Sequence, residues 1–271
     1  MTRFTCVFLF CLFLIGCNKI QKKQGDQSLS SESASDSEDS LKTTDTIPLY
    51  AKRIIDAYHD FNIKYSNNLL IFADGTRIVY DDGKEKNYVE KLDNCDIEDM
   101  FSMSYDTCAS IPAYLNDCGR GRNDELFMKM YGCNESEVRN NLVPVNWFGK
   151  SVPFSKINGA AKHLESVAAE LSNYSHLHKY LTNASSFYWR KVRGANRQSA
   201  HSYGIAIDIN TSYSNYWLWS NPRCSETEKI QYENHIPYEI VKIFEKHSFI
   251  WGGRWYHYDT MHFEYRPELF K

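Results

Sequence analysis

His201, Asp208, Asp259 and His262 are the residues of this chain whose types and spacing could do chemistry together. Asp208 sits in the run Ile205-Ala206-Ile207-Asp208-Ile209, whose apolar character predicts a buried strand. A carboxylate planted there is costly unless a partner neutralises it, and a metal is the cheapest partner. His201 and His262 add two imidazoles, giving nitrogen and oxygen ligands without a thiolate. With zinc, such a set leaves the fourth position for water, the mark of a catalytic rather than a structural site. Asp259, three residues before His262, then has a task as the base that takes a proton from that water. His257 is a candidate for holding the oxyanion or orienting a ligand, and a structural hydrogen bond would account for it equally well. Glu264 lies two residues past His262, hence on the same strand face, and is a candidate partner for that imidazole.

The order Ser199-x-His201-x-x-Gly204-x-Ala206-x-Asp208, answered by Asp259-x-x-His262, resembles the pattern of the D-alanyl-D-alanine carboxypeptidase family of zinc peptidases, in its VanY-like, LAS-type branch. Every defined position is present, which makes the match far more specific than a lone two-histidine motif. The resemblance implies an α+β fold for residues 151–271, a small antiparallel sheet carrying the zinc ligands His201, Asp208 and His262 and flanked by helices. It implies peptidoglycan stem peptides with D-residues as substrate and Asp259 as general base. Arg190 resembles the family arginine on a strand before the motif, implicated in substrate binding, and Ser199 belongs to the same substrate-binding expectation. Gly119-Arg120-Gly121-Arg122 resembles a Gly-Arg-x-Arg element upstream of the motif, so Arg120 or Arg122 is a candidate for gripping a substrate carboxylate. A surface arginine paired with Asp124 or Glu125 is the competing explanation. Cys118 stands where relatives often show Pro. D-Ala-D-Ala carboxypeptidases, D,D-endopeptidases and L-Ala-D-Glu endopeptidases share the metal motif, so the bond cleaved stays open. A zinc-containing binding lipoprotein without turnover is the alternative, and Asp259 argues against it because binding alone needs no base.

Composition bounds the partners. With 42% hydrophobic and 15% aromatic residues the chain can build a sizeable core. A formal charge of −3 supplies no basic stripe, which argues against nucleic acid. The 19 tyrosines suit a surface that binds extended polar ligands.

Along the chain, Arg3 precedes an apolar run over 4–15 that is too short to span a membrane and reads as a signal-peptide core. Leu14-Ile15-Gly16-Cys17 resembles a bacterial lipobox, which makes Cys17 the expected lipidation site, residues 1–17 a lipoprotein signal peptide, and the protein exported and membrane-anchored in the cell envelope. Residues 18–46 are almost free of apolar side chains and read as a disordered tether. Residues 47–150 form an N-terminal extension that opens with a helical pattern over 48–61, followed by a hairpin from strands at 69–72 and 77–80. The segments 160–171 and 237–247 read as helices, the second opened by Pro237, and 187–190 (Phe-Tyr-Trp-Arg) reads as a strand. The aromatic loop holding Tyr213, Tyr216, Trp217 and Trp219 is expected to wall the cleft. Cys95, Cys108, Cys118 and Cys133 fall within 39 residues, and export would permit one or two disulfides among them with Cys224 left free.

Overall fold

Three short antiparallel sheets and the helices around them are described by a computed structural model over residues 46–270. The signal peptide, the lipobox with Cys17 and nearly all of the tether lie outside these residues.

Helix α1 (Leu49–Ala57) presents Ala51 and Ile54 inward and is continued by a turn of 3-10 helix at His59–Phe61. Strands β1 (Lys64–Ser66), β2 (Leu69–Ile71) and β3 (Arg77–Val79) form a meander, the last two being the hairpin expected from the Asp74-Gly75 turn. Helices α2 (Tyr88–Asp93), α3 (Asp124–Tyr131) and α4 (Glu135–Asn140) follow. Each is started by an asparagine (Asn87, Asn123, Asn134) whose side chain accepts an N–H of the first turn.

Strands β4 (Leu142–Trp147) and β5 (Lys150–Ser155) pair as a second hairpin, with Val145, Trp147, Val152 and Phe154 buried and Asn146 and Ser151 exposed. Helices α5 (Ala160–Leu171) and α6 (His178–Leu181) come next, and Trp147 Nε1 donates to the Leu181 carbonyl at 2.8 Å. The third sheet is built from β6 (Ala206–Asp208), β7 (Phe249–Trp251) and β8 (His262–Tyr265), with β8 central. Between β6 and β7 lie α7 (Trp217–Ser220) and α8 (Tyr238–Lys246), the latter with Pro237 as its N-cap. The architecture is α+β, as the sequence implied.

The third sheet has two faces with different duties. Ile207 pairs with Phe263 and Phe263 with Trp251, and these side chains face the core, where Phe244 of α8 stacks on Phe263 at 3.8 Å. The other face carries Asp208 opposite His262 and Ala206 opposite Glu264. Directly opposed side chains on one face lie within contact distance, so register alone brings the ligand carboxylate to the imidazole. The small side chain at Ala206 leaves room for Glu264.

Two expectations need correcting. Residues 187–190 are not a strand: only single bridges, Ser185 with Asp208 and Lys191 with Gln198, flank them. Their neighbour is a 3-10 turn, Ala200–Tyr203, which cannot offer a ladder; the Arg190 N–H bonds to the Ser202 hydroxyl instead, at 2.9 Å. Disulfides are the second correction, since all five cysteines among the described residues are free. Cys95 and Cys118 are used as small core residues, and burial pushes both thiols up to about 12.

One hydrophobic cluster runs from Ala51 to Leu269, and Thr44–Lys271 forms one compact unit. Gly204, at φ 68°, ends the 3-10 turn in the left-handed region, its carbonyl accepting the Ser155 N–H at 2.8 Å. A Cβ at this position would fall on Leu142 Cδ2 of the β4–β5 hairpin. Gly204→Ala is therefore expected to lower unfolding free energy by about 2 kcal/mol, from left-handed strain plus displacement of Leu142. Denaturant titration of the purified domain checks this; a change within experimental error would show that the turn tolerates a side chain.

Candidate active site

His201 comes from the 3-10 turn, Asp208 from the end of β6 and His262 from the start of β8. One donor atom from each lies within 4.8 Å of the others. His201 Nε2 is 3.1 Å from His262 Nδ1 and 3.2 Å from Asp208 Oδ1, and His262 Nδ1 is 2.9 Å from that same oxygen. The remaining ring nitrogens are already committed. His201 Nδ1 donates to the Ser186 carbonyl at 2.5 Å, and His262 Nε2 to Glu264 Oε1 at 2.9 Å. With those nitrogens committed, His201 Nε2 and His262 Nδ1 face one another and a single Asp208 oxygen, an arrangement that a shared cation satisfies. Tetrahedral coordination at ordinary metal–nitrogen distances separates donors by about 3.3 Å, so the residues fit a four-coordinate divalent metal.

Burial raises the Asp208 carboxyl, but the charges of His201 and His262 and the hydrogen bonds from both rings outweigh it and hold it well below the carboxylate range. For His262, burial works against the cation, yet the bonds to Asp208 and Glu264 push it up to about 10. In the metal-free site a proton is thus held where a metal would bind, and metal uptake must displace it.

Glu264 is itself pinned. Its Oε1 accepts from Arg122 at 3.0 Å and its Oε2 from Arg266 at 3.2 Å. These cations and the His262 bond overcome burial and keep the carboxyl ionised, well below its ordinary range. Arg266 continues to Glu268 Oε1 at 2.5 Å, and Glu268 Oε2 accepts the Tyr58 hydroxyl at 2.7 Å, which ties the strand bearing His262 back to the α1 segment.

Asp259 stands on the turn before β8. Its N–H donates to the Gly252 carbonyl at 3.0 Å, and a Cβ on Gly252 would strike the Asp259 carbonyl, so glycine is needed for this close approach. Asp259 Oδ1 is buried without a partner. Burial and the like charge of Asp208 raise its carboxyl to about 7, against the pull of His262, His201 and Arg190. A carboxylate poised there, unpartnered, can take up and return a proton near neutral pH.

His201, Asp208, Asp259, His262, Glu264 and Arg122 line one cleft of about 470 Å³. Its walls include Tyr216, Trp217 and Trp219 of the aromatic loop, together with Ser199, Arg190, Arg193 and His257; Tyr213 lies elsewhere, against Tyr180. Arg190 is exposed, and its Nη1 donates only to the adjacent Lys191 carbonyl, leaving the guanidinium available. Arg120 and Arg122 line the cleft but are committed. Arg120 forks onto both Glu226 oxygens at 2.8 and 2.9 Å and onto Asp117 at 2.9 Å, and Arg122 holds Glu264. Their partners are neither Asp124 nor Glu125; Asp124 accepts the Gln198 N–H and the Tyr203 hydroxyl. Sequence reasoning missed Asp117, Tyr88, Glu226 and the Ser186 carbonyl, for which no local pattern exists, whereas the Glu264 contact follows from strand alternation.

Two imidazoles and a carboxylate, with a second carboxylate beside them, are a donor set that could hold a divalent metal next to a group able to take a proton. Residues 193–265 match the family model described as D-alanyl-D-alanine carboxypeptidase, so this segment of the chain, which carries His201, Asp208, Asp259 and His262, is similar to that family of peptidases. No curated protein and no solved structure matches the chain.

Arg122→Ala removes one of the two guanidiniums that fix Glu264 and is expected to weaken metal binding about 10- to 100-fold. Competition titration against a chelator measures it, and unchanged affinity would show that Arg266 alone suffices.

Proposed function

We propose that the protein is a zinc-dependent peptidase that hydrolyses peptidoglycan stem peptides containing D-residues, as a D-Ala-D-Ala carboxypeptidase or a related endopeptidase. The observation that carries this reading is the convergence of His201, Asp208 and His262 beside Asp259, whose buried Oδ1 has no partner. Zinc held by the triad would supply a Lewis acid and bring the pKa of a coordinated water to about 7. Asp259 accepts the proton of the attacking water and delivers it to the departing amine. The exposed Arg190 guanidinium, in the same cleft, offers the fork for a peptide carboxylate. Tyr216, Trp217 and Trp219 give the peptide an apolar wall and reduce water access.

Asp259→Asn is nearly isosteric but cannot take a proton, so turnover should fall by about 10²-fold or more with zinc still bound, and Asp259→Glu should keep part of it. Muropeptide hydrolysis read by product mass, alongside zinc content, is the measurement. Full activity in the Asn variant would remove Asp259 from the reaction; a zinc-loaded wild type inert on every stem peptide would favour a binding role.

The same reading puts the protein at the bacterial cell envelope, tethered by lipid on Cys17, with Leu14-Ile15-Gly16-Cys17 as its support. Cys17→Ser should abolish lipid labelling and shift the protein out of the membrane fraction. Unchanged fractionation and labelling would count against the anchor.

A further inference from the structure

The cleft carries more cations than its acids can pair. Arg120, Arg122, Arg190, Lys191, Arg193 and Arg197 all line it, against the carboxylates Asp208, Asp259 and Glu264. Three of the six cations are tied to protein carboxylates: Arg120 to Asp117 and Glu226, Arg122 to Glu264, and Arg197 to Asp93. Arg190, Lys191 and Arg193 are exposed, and no carboxylate among the described residues pairs with them; the Lys191 ammonium meets only the Asn196 side chain. The whole chain has a formal charge of −3, so this excess is local to one wall.

That wall is a narrow loop over 191–198. Lys191 and Gln198 pair as a single bridge, the Val192 N–H donates to the Arg197 carbonyl at 3.0 Å, and the Ala195 N–H closes a turn on the Val192 carbonyl at 3.1 Å. Arg193 and Gly194 stand at its exposed tip, with Gly194 in the left-handed region at φ 79°. The base is fixed from the N-terminal extension. The Gln198 N–H donates to Asp124 at 3.1 Å, the Gln198 carbonyl accepts from Arg122 at 3.2 Å, and Arg197 meets Asp93 at the end of α2. At this base Arg197 is 6% exposed, and its Nε and the Gln198 Nε2 are buried without acceptors. Burial and the like charges of Arg120 and Arg122 pull the Arg197 guanidinium below the ordinary arginine value, more than Asp93 and Glu226 restore. An anion brought to the wall offers negative charge and acceptor oxygens, the two things it lacks.

One carboxylate answers one guanidinium fork, and the Arg190 fork is already assigned to a peptide carboxylate. Lys191 and Arg193 are then left over. We propose that these two, on the base set by Arg197, form a second anion subsite, and that the substrate is an acidic peptide with a further free carboxylate inside its chain. The proposal rests on the peptidase reading and narrows its substrate class: a stem peptide whose internal carboxylate is free is preferred over the same peptide with that group amidated. Attraction between exposed charges is screened by salt, and each such pair is worth up to about fivefold in affinity, so two give a preference of roughly tenfold.

The test uses the full-length, zinc-loaded protein and one stem peptide in two forms, its internal carboxylate free or amidated and its terminal carboxylate free in both. Calorimetric titration in the Asp259→Asn background reads binding without turnover, and wild-type hydrolysis reads KM and kcat. The amidated form should bind about tenfold more weakly and show KM raised in the same proportion, with kcat changed less than about twofold. Lys191→Ala combined with Arg193→Ala should bind the two forms alike, Arg193→Glu should prefer the amidated form, and Arg193→Lys should keep the wild-type order. Raising NaCl from about 50 mM to about 500 mM should erode the preference for the free form. Arg193 makes no hydrogen bond or ion pair with the described residues, so its variants carry the test if Lys191→Ala disturbs the contact to Asn196. Equal binding of the two forms without these substitutions, or no binding of either, overturns the proposal. So does a preference for the free form that survives in Arg193→Glu and in the double variant. A wild type that hydrolyses no stem peptide removes the peptidase reading, while the titration still decides the subsite.

Discussion

The contact on which the rest of the site depends is that between Glu264 and the His262 ring. A carboxylate 1% exposed is expensive to bury, and here it is matched by Arg122 on one oxygen and Arg266 on the other. In return it fixes the hydrogen of His262 on Nε2 and turns Nδ1 toward Asp208 and His201. With Nε2 committed to Glu264, Nδ1 stays aimed at Asp208 and His201, the geometry a metal ion would need at this place.

Because Glu264 must be buried and paired, the surrounding fold is organised to pair it. Ala206 stands opposite and yields space, Gly119 offers its carbonyl to both Arg122 and Arg266, and Glu268 with Tyr58 completes the line to α1. These groups come from both ends of the compact unit. The polar line runs beside one continuous hydrophobic cluster, so the side chains that hold Glu264 are locked by packing as well as by charge.

The cleft joins parts of contrasting character. The triad and Asp259 stand on strands and tight turns whose backbone leaves little freedom, as the close approach of Gly252 to Asp259 illustrates. The rim of the cleft is looser in its commitments: the Arg190 guanidinium is exposed and donates only to the adjacent Lys191 carbonyl, and Trp219 is 56% exposed. A rigid floor with an adaptable rim is a common division in binding clefts, since closely placed polar groups need fixed geometry while the rim must admit a ligand.

How much of this was legible in the sequence divides along a physical line. Side-chain alternation along a strand and helical periodicity are local properties, so the hairpin over 69–80, the helices α5 and α8, and the placement of Glu264 beside His262 could be read directly. The order of His201, Asp208 and His262 likewise announced one site. Tertiary structure alone decided what local pattern cannot encode. It put a 3-10 turn beside 187–190 and so denied that segment a ladder, and it buried Cys95 and Cys118 in the core unpaired. It also set Arg120 and Arg122 on protein carboxylates rather than leaving them free. Asp117, which meets His257 from 140 positions away, left no mark in the sequence at all, because a contact made through space between distant segments has no period to read.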